Sequence, residues 1–452
     1  IKSVLCFKKS FKLFRAFLFE LTNLIKMTEK KRVCVIGAGT AGLCAAKHSI
    51  AAGMDVTVFE QMSEAGGTWV YSEDIGKDKF GLQVHTSMYK GLRTNLPKEI
   101  MGYPDFPIPG EGVSYIPAAE MLAFLKSYAK SFGVTSVINF NHHVLRVRPV
   151  GQPTEKYTWE VMVKDLPNET LNTLHFDFIF VCNGHYHTPY SPRYPGQDSY
   201  RGVITHSHDY RRPEPYKGKT VLVIGAGPSG MDIAYDISKH AERVTLSHHL
   251  PETPKTIFPD NVTQRPDPVN FTVDGVAFKD GSRATFDEVL YCTGYRYTFP
   301  FLSVDCGITV EENFVQPLYK HCVNINYPTM GFAGLPFYVC ACQMIDLQVR
   351  FCVKLWTGGV PMPSRKEMID DTQREMEERF QKRGYKKRHA HMMGPDQGKY
   401  YADLAASAGL VPLKPVITKL HNESSQKFLD DLTNFRNEVY KILDDETFIQ
   451  VK

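Results

Sequence analysis

Apolar and polar positions fall into short, regular blocks along this chain. Val33–Ile36 is an uninterrupted apolar run, too short for a helix and β-branched enough for a buried strand. A helical pattern follows from Ala41 to about Ala52, and Asp55–Glu60 then alternates as a second strand that ends in an acid. Glu120–Phe132 reads as an amphipathic helix, while Val144–Val150 and Tyr157–Lys164 alternate like the strands of a covering hairpin. Tyr89–Pro107 is punctuated by proline and reads as loop. Farther on, Asp346–Trp356 opens a helix, and Ser364–Arg383 mixes Glu with Lys and Arg like a solvated one.

The blocks repeat. Phe176–Gly184 and Phe286–Gly294 share Phe-Asp, a buried-looking strand and Cys-x-Gly. Val33–Gly42 returns as Val221–Gly230, with Gly37, Gly39 and Gly42 becoming Gly225, Gly227 and Gly230 at one constant spacing. The order is strand with glycine loop, returning strand, strand with glycine loop, returning strand. It predicts an α/β fold of two nested Rossmann-like dinucleotide-binding domains, one inserted in the other. The expected boundaries are 27–210 with 298–452 for the outer domain and 211–297 for the inserted one. Residues 1–26, basic and apolar without a clean apolar core, are expected to lie outside the fold, with Met27 starting the functional protein.

Each loop has the G-x-G-x-x-G spacing that seats a diphosphate on helix N–H groups, with Thr40 and Ala41 entering the first helix and Pro228 and Ser229 the second. Glu60, followed by Gln61, stands where a ribose hydroxyl is gripped. The same spacing carried into the second unit lands on His248, preceded by Ser247. An acid there repels a 2′-phosphate and its absence relieves the repulsion, so the first unit suits FAD or NAD and the second NADPH. No arginine stands at this point, and Lys255 is the nearby candidate for charge. Two such sites in one chain suggest electron transfer between two cofactors. Gly66-Gly67-Thr68-Trp69 lets backbone pass a flat cofactor, or else forms a turn with a buried tryptophan. Thr94-Asn95 offers a hydroxyl and an amide to a polar ring edge.

At 452 residues, 43% hydrophobic and 23% charged, the composition is that of a globular enzyme of two or three domains. A net charge of +4 gives no field suited to nucleic acid. The ten cysteines are scattered without zinc or redox spacing and read as reduced cytosolic thiols. No run of about 18 apolar residues predicts a membrane span.

Tyr200–Tyr210 resembles the F-x-G-x-x-x-H-x-x-x-(F/Y) fingerprint of flavin-containing monooxygenases, with Tyr200 for the leading Phe and Gly202, His206 and Tyr210 in place. The Gly66–Trp69 turn, Thr94-Asn95 and Cys292-Thr293-Gly294-Tyr295 are also similar to that family, insect members above all. The resemblance implies that NADPH reduces FAD and becomes NADP+. O2 then forms a C4a-hydroperoxyflavin that oxygenates nitrogen or sulfur in tertiary amines, alkaloids or sulfides. It implies flavin contacts at Gly67, Thr68, Trp69, Thr94, Asn95, Leu96 and Gln348, and NADPH contacts at Asp232, Ser247, His248, Thr293 and Gly294. Asn95 is the expected hydrogen-bonding group at the reacting centre, with an Asx-turn as its other reading. His206 reads more readily as a domain link than as a proton donor. His185, His187 and His208 match no metal motif, and no metal is expected.

Three rivals stand beside this reading. A disulfide reductase needs a cysteine pair that Gly67-Thr68-Trp69 lacks. A Baeyer–Villiger-type enzyme is expected to carry Trp at Tyr210, and an NADPH-binding flavoprotein without turnover would keep every motif. The expected location is cytoplasmic, with at most peripheral contact at the endoplasmic reticulum, since the C-terminus lacks the apolar tail of vertebrate relatives. A homodimer is compatible with the sequence.

Overall fold

The computed structural model describes residues 30–151, 157–250, 252 and 254–451, so the expectations for residues 1–26 and Met27 lie outside the described residues. Two sheets organise these. The first has seven strands in the order Leu318–Tyr319, Val323–Asn324, Met330–Phe332, Phe178–Val181, Arg32–Ile36, Asp55–Glu60, Ile138–Phe140. From Met330–Phe332 to Ile138–Phe140 every pairing is parallel. Parallel strands covered on both faces are apolar throughout, which is why Val33–Ile36 shows no alternation. On one face the helices Thr40–Ala51, Ala118–Ser131 and Ala341–Trp356 supply Leu43, Leu125 and Phe351 to the core. On the other, Trp159, Phe176 and Val147 come from a three-stranded antiparallel sheet, His142–Val150, Thr158–Asp165 and Thr170–Phe176. The sequence reading took in only the first two of those strands.

The second sheet has five parallel strands in the order Val262–Arg265, Arg243–Ser247, Thr220–Ile224, Glu288–Tyr291, Val203–His206. The fingerprint strand Val203–His206 is thus hydrogen-bonded into the second sheet, upstream of the expected boundary at Arg211. The reason is pairing: it is the edge partner of Glu288–Tyr291 along its whole length. The C-terminal segment also crosses over. Val416, Leu420, Phe428, Phe435 and Tyr440 share one cluster with Val221, Met231 and Val244 of the second unit and with Ile100, Tyr115 and Cys340 of the first, so the segment bridges the two. Nine described cysteines are buried and free, and no described helix is long and apolar enough to cross a membrane.

Candidate active site

The two glycine loops sit at the carboxyl ends of the central strands of their sheets, where α/β folds bind ligands. Their backbones match bond for bond. The Gly37 amide donates to the Phe59 carbonyl at 2.8 Å, and that of Gly225 to Ser247 at 2.8 Å. Gly37 and Gly225 have φ of 101° and 108°, a left-handed backbone that glycine alone adopts without strain. A Cβ on Gly42 would fall 1.8 Å from the Gly37 carbonyl, and one on Gly230 1.8 Å from that of Gly225. Helix and loop can touch only with glycine at both positions. The helices that follow, Thr40–Ala51 and Pro228–Ser238, have no side-chain cap and no acid in the first turn. Thr40, Ala41 and Ser229 therefore carry free N–H donors suited to a diphosphate, while Pro228, which has no N–H, opens the second helix.

The loops differ at the middle glycine. A Cβ on Gly67 would lie 2.8 Å from the Cα of Gly39, so the Gly67–Trp69 turn closes against the first loop. Nothing stands within 4 Å of the same position on Gly227. Trp69 is half-buried at the edge of the first core, and Thr86 Oγ1 donates to the Thr68 carbonyl at 3.1 Å.

They differ again at the second strand. Glu60 is 5% exposed. Its Oε2 accepts the Ala38 amide at 2.7 Å and its Oε1 that of Met62 at 2.8 Å, with Gln61 half-buried between. Burial raises its pKa despite those bonds. A carboxylate has four lone-pair sites, so lone pairs remain for ribose hydroxyls, and the first loop fits a dinucleotide of the FAD kind. At the second, His248 Nε2 donates to Gln264 Oε1 at 2.9 Å while its Nδ1 accepts the Leu250 amide at 3.3 Å. Ser247 is buried and donates to the Pro266 carbonyl at 2.7 Å. Neither carries a charge that would oppose a phosphate.

The segments leaving the carboxyl ends of the two sheets meet, Asn183 Nδ2 donating to the Thr298 carbonyl at 3.1 Å. His206 is buried there, its Nε2 donating to the Gly294 carbonyl at 3.1 Å and its Nδ1 accepting the His208 amide at 3.0 Å. Burial pushes its pKa down to about 4. Both nitrogens are used on backbone, which is the geometry of a link. Gly202 lies below on the same segment, where a Cβ would meet the Asp287 carbonyl at 2.7 Å. Tyr210 donates to Asp236 at 2.7 Å and stands edge-on to Tyr89. The Gly294 carbonyl also accepts the Tyr190 amide, and Thr293 Oγ1 donates to the Tyr190 carbonyl. Nearby, His208 Nε2, Arg211 Nε and His187 Nδ1 are buried without a hydrogen-bond partner among the described residues, and such groups cost about 1–3 kcal/mol each when left unpaired. Sequence spacing gave these histidines no role, because it is folding that brings the segments 185–187 and 205–211 together.

Asn95 is exposed, and among the described residues its side chain makes no hydrogen bond, an Asx-turn bond included. Its neighbours are committed. Thr94 Oγ1 accepts the Ile116 amide at 3.1 Å, and Leu96 is half-buried against the second core. Two expected contacts are engaged elsewhere. Asp232 is paired bidentately with Arg436 at 2.8 and 2.5 Å. Gln348 is buried, accepting the Gly334 amide at 2.9 Å and donating to Tyr400 at 2.7 Å. Gln348 thereby ties the Gly334 loop to Tyr400. One described cluster has metal-ligand chemistry, Cys44, His48 and Asp346, but Asp346 is already bonded to His48 and Arg350 at 2.6 Å each.

Two Rossmann-type units, each with a glycine loop at the carboxyl end of its sheet, have the architecture of dinucleotide-dependent oxidoreductases. The family model described as flavin-binding monooxygenase-like matches residues 30–252 and 249–426. The senecionine N-oxygenase of Tyria jacobaeae is 34% identical over 435 residues, 94% of this chain and 93% of its own. The flavin-containing monooxygenase FMO GS-OX-like 4 of Arabidopsis thaliana is 34% identical over 401 residues, 83% of this chain and 87% of its own. Among solved structures, the S-allyl-L-cysteine S-oxygenase of Allium sativum superposes with a TM-score of 0.84 at 31% identity, covering 91% of this chain and 95% of its own. The chain belongs to the flavin-binding monooxygenase-like family.

Proposed function

We propose that the chain is an FAD- and NADPH-dependent monooxygenase that places one atom of O2 on nitrogen or sulfur of small soft nucleophiles, tertiary amines and sulfides first. The observation that carries this is the matched pair of loops with unlike strand ends, Glu60 at one and His248 at the other. FAD occupies the first, under the Gly67–Trp69 turn, with its ribose on Glu60. NADPH occupies the second, at Gly225, Gly227, Ser229 and Gly230. The flavin, once reduced, supplies the activated oxygen. The protein's part is to orient and to exclude water. His206 ties the linker strand to the Gly294 turn, and Gln348 holds the Gly334 loop. Asn95 presents an uncommitted amide to the reacting centre from a loop whose backbone Thr94 and Arg436 fix. The N- and S-oxygenases among the relatives support both substrate classes. The enzyme works in the cytoplasm, in keeping with its buried, unpaired cysteines.

Purified protein should carry FAD and consume NADPH in step with N-oxide or S-oxide formed from a tertiary amine or a thioether. A flavoprotein without oxygenase turnover would oxidise NADPH only to hydrogen peroxide, or not at all, whatever substrate is added. Asn95→Ala should keep flavin reduction while raising peroxide released per NADPH at least several-fold. Unchanged coupling in that variant would remove Asn95 from the site.

A further inference from the structure

The second loop lacks an acid at His248, yet relief of repulsion alone does not hold a 2′-phosphate. We infer that Arg265 is the residue that grips the 2′-phosphate of the nicotinamide dinucleotide, an inference that rests on the NADPH reading above. The strand Val262–Arg265 runs parallel to Arg243–Ser247, pairing Arg265 with Ser247. The His248 amide donates to the Arg265 carbonyl at 3.0 Å. Arg265 therefore ends the strand beside the ribose position, at the carboxyl edge of the sheet. In the first unit the neighbouring strand sets Asn139 opposite Phe59 at the corresponding place, and no cation stands there.

The charges around Arg265 leave it available. His248 has both ring nitrogens engaged, with Gln264 and the Leu250 amide. Asp267 is neutralised by Lys279 at 2.8 Å and faced by His249 at 3.1 Å. Asp280 Oδ2 forms a loose ion pair with Arg265 Nη1 at 3.7 Å, too long for a hydrogen bond. The other oxygen of that carboxylate, Oδ1, accepts the amide and hydroxyl of Ser282, at 2.9 and 2.5 Å. Lys255, the candidate from the sequence, makes an equally loose pair, 3.9 Å from Asp430 of the C-terminal helix Pro415–Asp430, but it lies outside the strand register that sets Arg265 beside Ser247. A guanidinium held only by one loose ion pair can take a phosphate dianion with two parallel N–H bonds, which a carboxylate at 3.7 Å does not outcompete.

Calorimetry on the FAD-loaded protein with 2′,5′-ADP and 5′-AMP tests this without turnover. The wild type should bind 2′,5′-ADP about ten- to a hundredfold more tightly than 5′-AMP, the span of a charged hydrogen-bonded pair. Arg265→Gln should erase that preference and leave 5′-AMP binding as it was, and Arg265→Lys should restore part of it. Full preference retained in Arg265→Gln would overturn the assignment of Arg265 while leaving the NADPH reading in place. A wild type that binds both nucleotides equally would overturn the NADPH reading and this inference with it. Should Arg265→Gln lose its FAD, Asp280→Asn decides. Freed of its nearest anion, Arg265 should hold 2′,5′-ADP more tightly with 5′-AMP unchanged, and no gain would refute the role.

Discussion

Removing Arg436 should loosen the second unit and the Asn95 loop together. Its guanidinium makes two bonds to Asp232, a third from Nε to the Thr94 carbonyl at 3.0 Å, and lies 4.6 Å over the Phe435 ring. The two side chains are only 15% and 14% exposed. Arg436→Ala strands the Asp232 carboxylate in that setting. Breaking such a pair from one side costs about 3–5 kcal/mol, and the lost bond to Thr94 adds about 1 kcal/mol. A chain of two units need not unfold in one step, so a single melting midpoint would blur the effect. Hydrogen exchange resolves it: amides of residues 92–97 and 415–440 should exchange about a thousand- to twenty-thousand-fold faster. Amides of the first sheet should stay as they are. The double variant Asp232→Leu with Arg436→Met should recover most of the protection, because removing both charges leaves nothing stranded. A double variant no better protected than Arg436→Ala would refute the reasoning, since the loss would then not be electrostatic.

Gly42→Ala and Gly230→Ala make the same clash in the two loops, so they should fail differently: the first purifies without flavin, the second keeps its FAD but is no longer reduced by NADPH. Absorbance of the bound flavin before and after anaerobic NADPH separates the two, and identical behaviour would undo the assignment of the loops. Acid should destabilise the protein through His206. Above about pH 6.5 its ring is neutral whether folded or unfolded and contributes nothing. Below that the unfolded chain takes a proton the folded ring refuses until about pH 4, so stability falls by up to about 1.4 kcal/mol per pH unit. Denaturant midpoints between about pH 4 and 6.5 should fall less steeply in His206→Asn, and an unchanged slope would show that the burial of this ring is not felt.

The nested pair of units was legible because it is written twice. Constant spacing placed Glu60 and His248 at equivalent points before any geometry was known, and the matching bonds of Gly37 to Phe59 and Gly225 to Ser247 are the physical reason. The strand that carries His206 was legible as a motif but not as a member of the second sheet, because edge pairing with Glu288–Tyr291 leaves no local trace. Long-range pairing hid the rest. Asp232 looks uncommitted from its place on the loop helix until Arg436, far along the chain, is seen to pair with it. Arg265 looks like any strand-end residue until its register against Ser247 is seen. The bridging of the two units by residues 415–440 was invisible for the same reason, since an apolar helix face does not say which core it will cover.

The seam between Gly39 and Gly67 has a kinetic consequence. On the proposed assignment, the Gly67–Trp69 turn packed on Gly39 ties release of FAD to a backbone motion, and dissociation from the first loop should be the slower of the two. Gly227 has no such neighbour, so NADP+ should exchange there without that step, which would make one nucleotide a fixed component and the other a consumable.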